Sequence, residues 1–231
     1  MILVRKPPAV DTLHAAEDLD GTDSKGRARR RARMSETSLS ILQLQMVLCA
    51  AIIGCCISMS LPLAHMVAHA SDKGLPLTDA VTVLSVTLMA AFVSRVLLVG
   101  FLSDRFGGLW ALFAFSVLQA VSVGLLTASN SIALLYIVGI SFGLGYGGIF
   151  PVYAVIIREY MPAKEAGRRT GIVFLFGALS MGFGSWMGGA LFDATGSYTM
   201  PFLLGVAANC VTRGIVGMLL TKTRKSEPPE P

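Results

Sequence analysis

Between residues 41 and 220 the chain reads as six long apolar blocks separated by short polar stretches. The blocks cover about 41–68, 78–102, 109–127, 131–157, 170–192 and 200–220. Crossing a hydrocarbon core about 30 Å thick takes about 20 mostly apolar residues as a helix, and the blocks fit that length. Period-2 alternation is absent and the runs are too long for strands, which points to helices. In lipid only helices or closed barrels satisfy the backbone, and the barrel pattern is missing. The pattern therefore predicts an all-α membrane protein with six transmembrane helices.

The third and fourth blocks test this reading. Residues 106–157 contain no Asp, Glu, Lys or Arg. At about 1.5 Å per residue, a single helix of that length would span far more than one bilayer, so the chain must turn back. Thr127-Ala128-Ser129-Asn130-Ser131 supplies the turn residues. Pro62 should kink the far end of the first helix, and Pro151 the fourth.

Three segments follow: a polar, charged stretch 1–38 without apolar periodicity, a transmembrane domain 39–221 and a tail 222–231. The first is expected to be a flexible tail, and it has no apolar core of signal-peptide length. Composition agrees with the pattern, since 54% of residues are hydrophobic and only 14% charged, against about 25% charged in soluble domains.

Charge adds orientation. Of the 19 Lys and Arg, Arg95 and Arg213 lie within helices, and Lys73 alone falls in a loop on the side opposite the tails. The other sixteen share the side of both tails, eight of them in 1–38. Lys and Arg accumulate on cytoplasmic flanks, so both termini are expected in the cytoplasm and the protein in the plasma (inner) membrane. The run Arg27-Ala28-Arg29-Arg30-Arg31-Ala32-Arg33 is assigned to that flank rather than to nucleic acid. Cys49, Cys55, Cys56 and Cys210 all lie in apolar stretches, with no C-x-x-C pair or His cluster beside them, and read as small buried residues rather than metal ligands. Neither a metal, a cofactor nor an enzymatic nucleophile is predicted.

The most specific local motif is Gly100-Phe101-Leu102-Ser103-Asp104-Arg105-Phe106-Gly107-Gly108, in the short turn between the second and third helices. Gly100 permits close helix contact, Gly107 a tight turn, and Asp104 can pair with an Arg or cap a neighbouring helix. The run resembles the G-x-L-[AS]-D-[RK]-x-G motif of the major facilitator superfamily, found between the second and third helices of each six-helix half. Two further runs resemble the monocarboxylate and oxalate–formate branch: the stretch from Pro62 to Gly74, with His65 and His69, and the stretch from Gly188 to Tyr198. The resemblance covers about 41–220 and implies the C-terminal half of a carrier bundle. Residues 1–38 would then correspond to its central loop, and Gly100, Asp104, Arg105 and Gly107 to its conformational gating patch.

The resemblance also implies that an Arg on the second helix binds a substrate carboxylate. Arg95 matches it, although it precedes Gly100 by five residues where the resemblance implies four. One residue turns a side chain by about 100° on a regular helix. An ionisable residue at membrane depth usually faces a bundle interior or a cavity, and a guanidinium fork suits a carboxylate. The alternative is an Arg that snorkels to the headgroups, which is also the expectation for Arg213. Tyr146 and Tyr153 flank Pro151 and are candidate cavity residues beside Arg95.

His65 and His69, one turn apart, read either as a proton-coupling pair or as a solvated interfacial pair. Gly139, Gly143 and Gly147, and likewise Gly184 and Gly188, are spaced by four and read as packing stripes. The run from Gly143 to Gly148 fits G-x-G-x-x-G but lies inside a charge-free span, not at a strand-to-helix turn. Two functions remain open. One is a carrier of a small organic anion such as a monocarboxylate, working in the lipid bilayer as a homodimer or with a separate N-terminal half. The other is a transport-inactive remnant or regulatory partner of a full-length carrier.

Overall fold

A computed structural model describes residues 39–224, so the tail expected at 1–38 and residues 225–231 of the tail expected at 222–231 lie outside the described residues. The elements are α1 (Ile41–Asp72), α2 (Leu77–Val93), a π turn (Ser94–Leu98) and α3 (Val99–Phe106). They continue with α4 (Gly108–Thr127), α5 (Ile132–Gly147), α6 (Ile149–Tyr160), a 3-10 turn (Ala163–Glu165), α7 (Ala166–Thr195) and α8 (Thr199–Arg224). Helices α2 and α3 form one candidate span, Leu77–Phe106, and α5 and α6 another, Ile132–Tyr160. With α1, α4, α7 and α8 this makes six helices long and apolar enough to cross a membrane.

The helices outrun the apolar blocks at their ends. α1 begins at Ile41 because Ser40 and Gln43 form a capping box, Ser40 Oγ accepting from Gln43 N–H at 3.2 Å and Gln43 Oε1 from Ser40 N–H at 2.9 Å. α7 starts at Ala166, four residues before the expected 170, which brings Arg168 and Arg169 into its first turn. Glu165 makes this start tolerable by pairing with Arg169 at 2.6 Å. The predicted hairpin turn is present, with α4 ending at Thr127 and Ser131 capping α5.

The packing has a two-part order. α1 packs on α7 and α8, α5 packs on α2 and α4, and α4 packs on α8. Exchanging the first three spans for the last three maps these pairs onto one another, the arrangement of an inverted repeat. The glycine stripes sit at the two equivalent interfaces. Gly139, Gly143 and Gly147 face Val83, Thr87 and Ala91 of α2, and Gly177, Gly184 and Gly188 face Ile52, Ile57 and Leu61 of α1. Without a hydrophobic drive between helices in lipid, close backbone approach of this kind carries association. The outer faces of α2, the π turn and α7 expose Leu88, Phe92, Leu97, Leu179 and Trp186, while Ser58, Ser116, Gln119 and Asn209 are buried. Apolar outside and polar inside is the distribution expected when the solvent is hydrocarbon.

The end of the bundle farther from Ile41 is pinned by side chains reaching across helix termini. Lys73 Nζ donates to Thr127 O at 3.2 Å, Ser129 O at 3.0 Å and Asn130 Oδ1 at 2.8 Å, at the C-terminal end of α4, where carbonyls lack helical donors. Partial burial pulls this ammonium below its usual pKa. Replacing Lys73 with Met removes charged donors worth about 1–2 kcal/mol together. The unfolding temperature in detergent should then fall by about 3 °C, and an unchanged temperature would show that Lys73 is a solvated bystander.

His65 and His69 are not a solvated pair. His69 Nε2 bonds Leu126 O at 3.1 Å and its ring meets Phe202 edge-on at 5.1 Å. His65 Nε2 bonds Ser185 O at 2.9 Å, and its ring lies 5.2 Å from that of Tyr198. Each carbonyl can only accept, so Nε2 carries the proton in both rings. Tyr198 stacks on Phe192 at 4.3 Å; burial, followed by Asp72 and Asp193, raises its phenol pKa.

Candidate functional site

The site forms where two irregular stretches lie side by side. The fourth span breaks between Gly147, the last residue of α5, and Ile149, the first of α6. Pro151 explains the break. It lacks the N–H that would serve Gly147 O four residues back, and the ordinary ladder resumes with Val152 N–H on Gly148 O, at 3.1 Å. The second span carries its π turn directly opposite. There Val99 N–H reaches Ser94 O, five residues back rather than four, and so accommodates one additional residue.

That residue bears on the spacing of Arg95. The π turn, Ser94–Leu98, contains Arg95 and holds one residue more than an α turn, the difference between the interval of five found here and the four the resemblance implies. Two neighbouring side chains then reach the broken span. Ser94 Oγ donates to Leu144 O at 2.7 Å, and Arg95 Nε donates to Gly147 O at 3.1 Å. The Arg95 guanidinium carbon also lies 6.0 Å from the centroid of the Tyr146 ring. Eleven residues separate Arg95 from Phe106, the end of its span, or about 16 Å of helix. Its Nε is held against the bundle by the Gly147 carbonyl of the fourth span.

What Arg95 leaves unused decides what it can do. Its guanidinium carries five N–H donors, and only the Nε donor has a hydrogen-bond partner among the described residues. No Asp or Glu pairs with it among them, whereas Glu165 pairs with Arg168 and Arg169. The side chain is exposed, and its Nη1–Nη2 edge has no hydrogen-bond partner among the described residues. Tyr146 is nearly buried beside it, with its ring tilted on Phe142 at 5.1 Å.

Tyr153 is not brought to this site. It is 0% exposed, packed inside the bundle, and its hydroxyl has no hydrogen-bond partner. Two helical turns and the Pro151 break separate it from Tyr146, and in this conformation it offers no surface to a solute. Gln45 ties α1 to α7 by donating to Arg169 O at 3.2 Å. Thr82, Ser85 and Ser180 bond carbonyls one turn back on their own helices. Arg213 turns back to Cys210 Sγ at 2.6 Å, away from the headgroup end expected of a snorkelling side chain. Cys210 itself is exposed, unlike the other three cysteines.

The turn motif departs from expectation in part. Gly107 adopts φ +84°, a conformation that suits glycine, and its N–H reaches Ser103 O at 2.9 Å. Gly100 makes no close helix contact, since a Cβ there would meet nothing within 4 Å. Asp104 is exposed and has no partner among the described residues. The N-terminus of α4 is capped instead by Glu159, whose Oε2 accepts from Gly108 N–H at 3.2 Å. Arg105 lies 5.8 Å from the ring of Phe106.

Sequence reasoning missed Ser94, Glu159 and the role of the Gly147 carbonyl. The signals were present: five residues from Arg95 to Gly100, and a proline four residues after Gly147.

The profile of the Major Facilitator Superfamily matches residues 46–231. The chain belongs to this superfamily. Among curated relatives, rat monocarboxylate transporter 13 is 28% identical over 158 residues, which cover 68% of this chain and 37% of the relative. The MFS transporter asaE of Aspergillus flavus is 29% identical over 165 residues, again 68% of this chain and 37% of the relative. The chain thus spans little more than a third of the length of these relatives. The crystal structure of an auto-inhibited POT family peptide transporter matches with a TM-score of 0.60 and 17% identity, covering 81% of this chain and 38% of that one. That likeness extends to the fold. Family membership and six candidate spans together make this an integral, multi-pass membrane protein of a transporter family.

Proposed function

We propose that this six-helix bundle is one half of a carrier that moves a small organic anion of the monocarboxylate class by alternating access. The observation that carries the proposal is the free Nη1–Nη2 edge of Arg95, at depth, beside Tyr146 and without an acidic partner. A cation left unneutralised there is costly, and a carboxylate would both neutralise it and take two parallel N–H bonds. Likeness to a protein named monocarboxylate transporter 13 supports the same solute class. Major-facilitator sites lie at the interface of two repeats, so a second bundle, either another copy or a separate N-terminal half, completes the cavity. In this reading Gly100, with its open face, joins Asp104, Arg105 and Gly107 in a gating patch. The bundle end bearing Arg105, Arg158, Lys164 and Arg168 faces the cytoplasm, as do both termini.

Reconstituted in vesicles, the full chain should take up labelled lactate or pyruvate in counterflow against the same unlabelled anion, and should leave glucose outside. A monodisperse, correctly inserted preparation that exchanges none of lactate, pyruvate, formate or oxalate would overturn the carrier reading and favour a transport-inactive partner. Tags on the two termini should be protected together or exposed together in inside-out vesicles. Opposite accessibility contradicts the orientation.

A further inference from the structure

We infer that Pro151 is a positioning residue for Arg95: by leaving the Gly147 carbonyl without a helical donor, it creates the acceptor that fixes the guanidinium with its outer edge free. This deepens the reading of Arg95 as the carboxylate-binding residue and rests on it.

In a regular helix the N–H of residue 151 would serve the carbonyl of residue 147. Proline has none, and the helix resumes only with Val152 N–H on Gly148 O. A carbonyl left over at membrane depth needs a donor from elsewhere. Gly147 also sets the distance: a Cβ there would lie 2.7 Å from Ala91 Cα, so only glycine lets α5 approach α2 closely enough for Arg95 to reach across. The π turn then points Arg95 at that carbonyl, and Ser94, beside it, serves Leu144 O. The second and fourth spans interrupt their helical ladders side by side, and the second supplies donors to carbonyls of the fourth.

The choice of nitrogen has a consequence for recognition. A guanidinium can present a carboxylate with its Nε side or with its Nη1–Nη2 end. Gly147 O occupies the Nε side, so the end-on edge remains, aimed by an anchor that does not move with the long side chain. Fixing an arginine in advance lowers the ordering cost of binding. Tyr146, one residue before the anchor, limits the tilt of the guanidinium from its other face.

Pro151→Ala tests the inference, because alanine restores the missing N–H and gives Gly147 O an intrahelical donor that competes with Arg95. The full chain is prepared with 15N-labelled arginine in lipid nanodiscs, and the Arg95 Nε–H signal is identified by its loss in Arg95→Lys. In the parent protein that proton should exchange slowly with water, and in Pro151→Ala at least about fivefold faster, the equivalent of one lost hydrogen bond. Pyruvate affinity should weaken by about fivefold in the same variant, whereas the folded yield should not fall. Pro151→Val, which also restores the N–H, serves if the alanine variant misfolds. An Arg95 Nε–H signal and a pyruvate affinity both unchanged in these variants would overturn the inference. If Arg95→Ala binds pyruvate as the parent does, the carboxylate reading fails instead, and the exchange rate in Pro151→Ala still decides whether Gly147 O is the anchor.

Discussion

Replacing Gly184 with valine should prevent the bundle from assembling, whereas the same substitution at Gly182, two residues away on α7, should leave it folded. Both positions are helical glycines, and the change in helix propensity is the same. Their surroundings differ. A Cβ at Gly184 would overlap Ser60 Oγ and lie 3.0 Å from both Ile57 Cα and Ile57 O on α1, while nothing lies within 4 Å of one at Gly182. Part of the Gly184 contact is backbone, which no rotamer change can relieve, so the helices must separate along their length. Gly143 behaves in the same way at the equivalent interface, where a Cβ would overlap Thr87 O and sit 2.9 Å from Ala90 Cβ. Fluorescence-detected size exclusion of tagged variants checks this. The Gly184→Val and Gly143→Val proteins should run mostly as aggregate and Gly182→Val as the parent species. Equal profiles for all three contradict the close-packed interfaces described here.

Removing the guanidinium with Arg95→Ala should weaken carboxylate binding by roughly 10- to 100-fold, since hydrogen bonds to charged groups are worth about 1.5–3 kcal/mol. Arg95→Lys should recover little of that loss. An ammonium is a point charge without the fork geometry, and it cannot hold the Gly147 carbonyl while presenting a flat two-nitrogen edge. Arg95→Ala also leaves Gly147 O without its donor, so a loss of stability of about 1–3 kcal/mol should accompany the loss of affinity, and affinity is measured on the folded, monodisperse fraction. A variant that unfolds but binds normally when rescued by lipid would make Arg95 a structural residue.

Much of this architecture was legible in the sequence, for a simple reason. In hydrocarbon the backbone must satisfy itself, so apolar length alone fixes the number and type of elements. Glycine spacing of four identified both tight interfaces, because small residues on one helical face are what lets helices approach. The helix ends were less legible: Arg168 and Arg169 look like loop residues until Glu165 is seen to pair with Arg169 at 2.6 Å. Arg95 was legible as an anomaly, a charge inside a span, but its register was not. An Arg-to-Gly interval of five becomes intelligible only with a π turn, and a π turn is a tertiary event that here includes the break at Gly147 on another helix. Tyr153 illustrates the opposite failure. Its place beside Pro151 made it a cavity candidate together with Tyr146, yet it is 0% exposed inside the bundle. The histidines misled through position: near a helix end they look solvated, while in the structure they are packed among Tyr198, Phe202 and the carbonyls of other helices.

The central claim is that the free end of Arg95 receives the carboxylate of a small anion. The most direct measurement is equilibrium binding of labelled lactate to the full chain in nanodiscs, with unlabelled lactate and its neutral amide as competitors. Saturable binding displaced by lactate but not by lactamide, and lost in Arg95→Ala, is the result predicted. Absence of saturable binding, displacement by the amide as effective as by the acid, or unaltered binding in Arg95→Ala would contradict it.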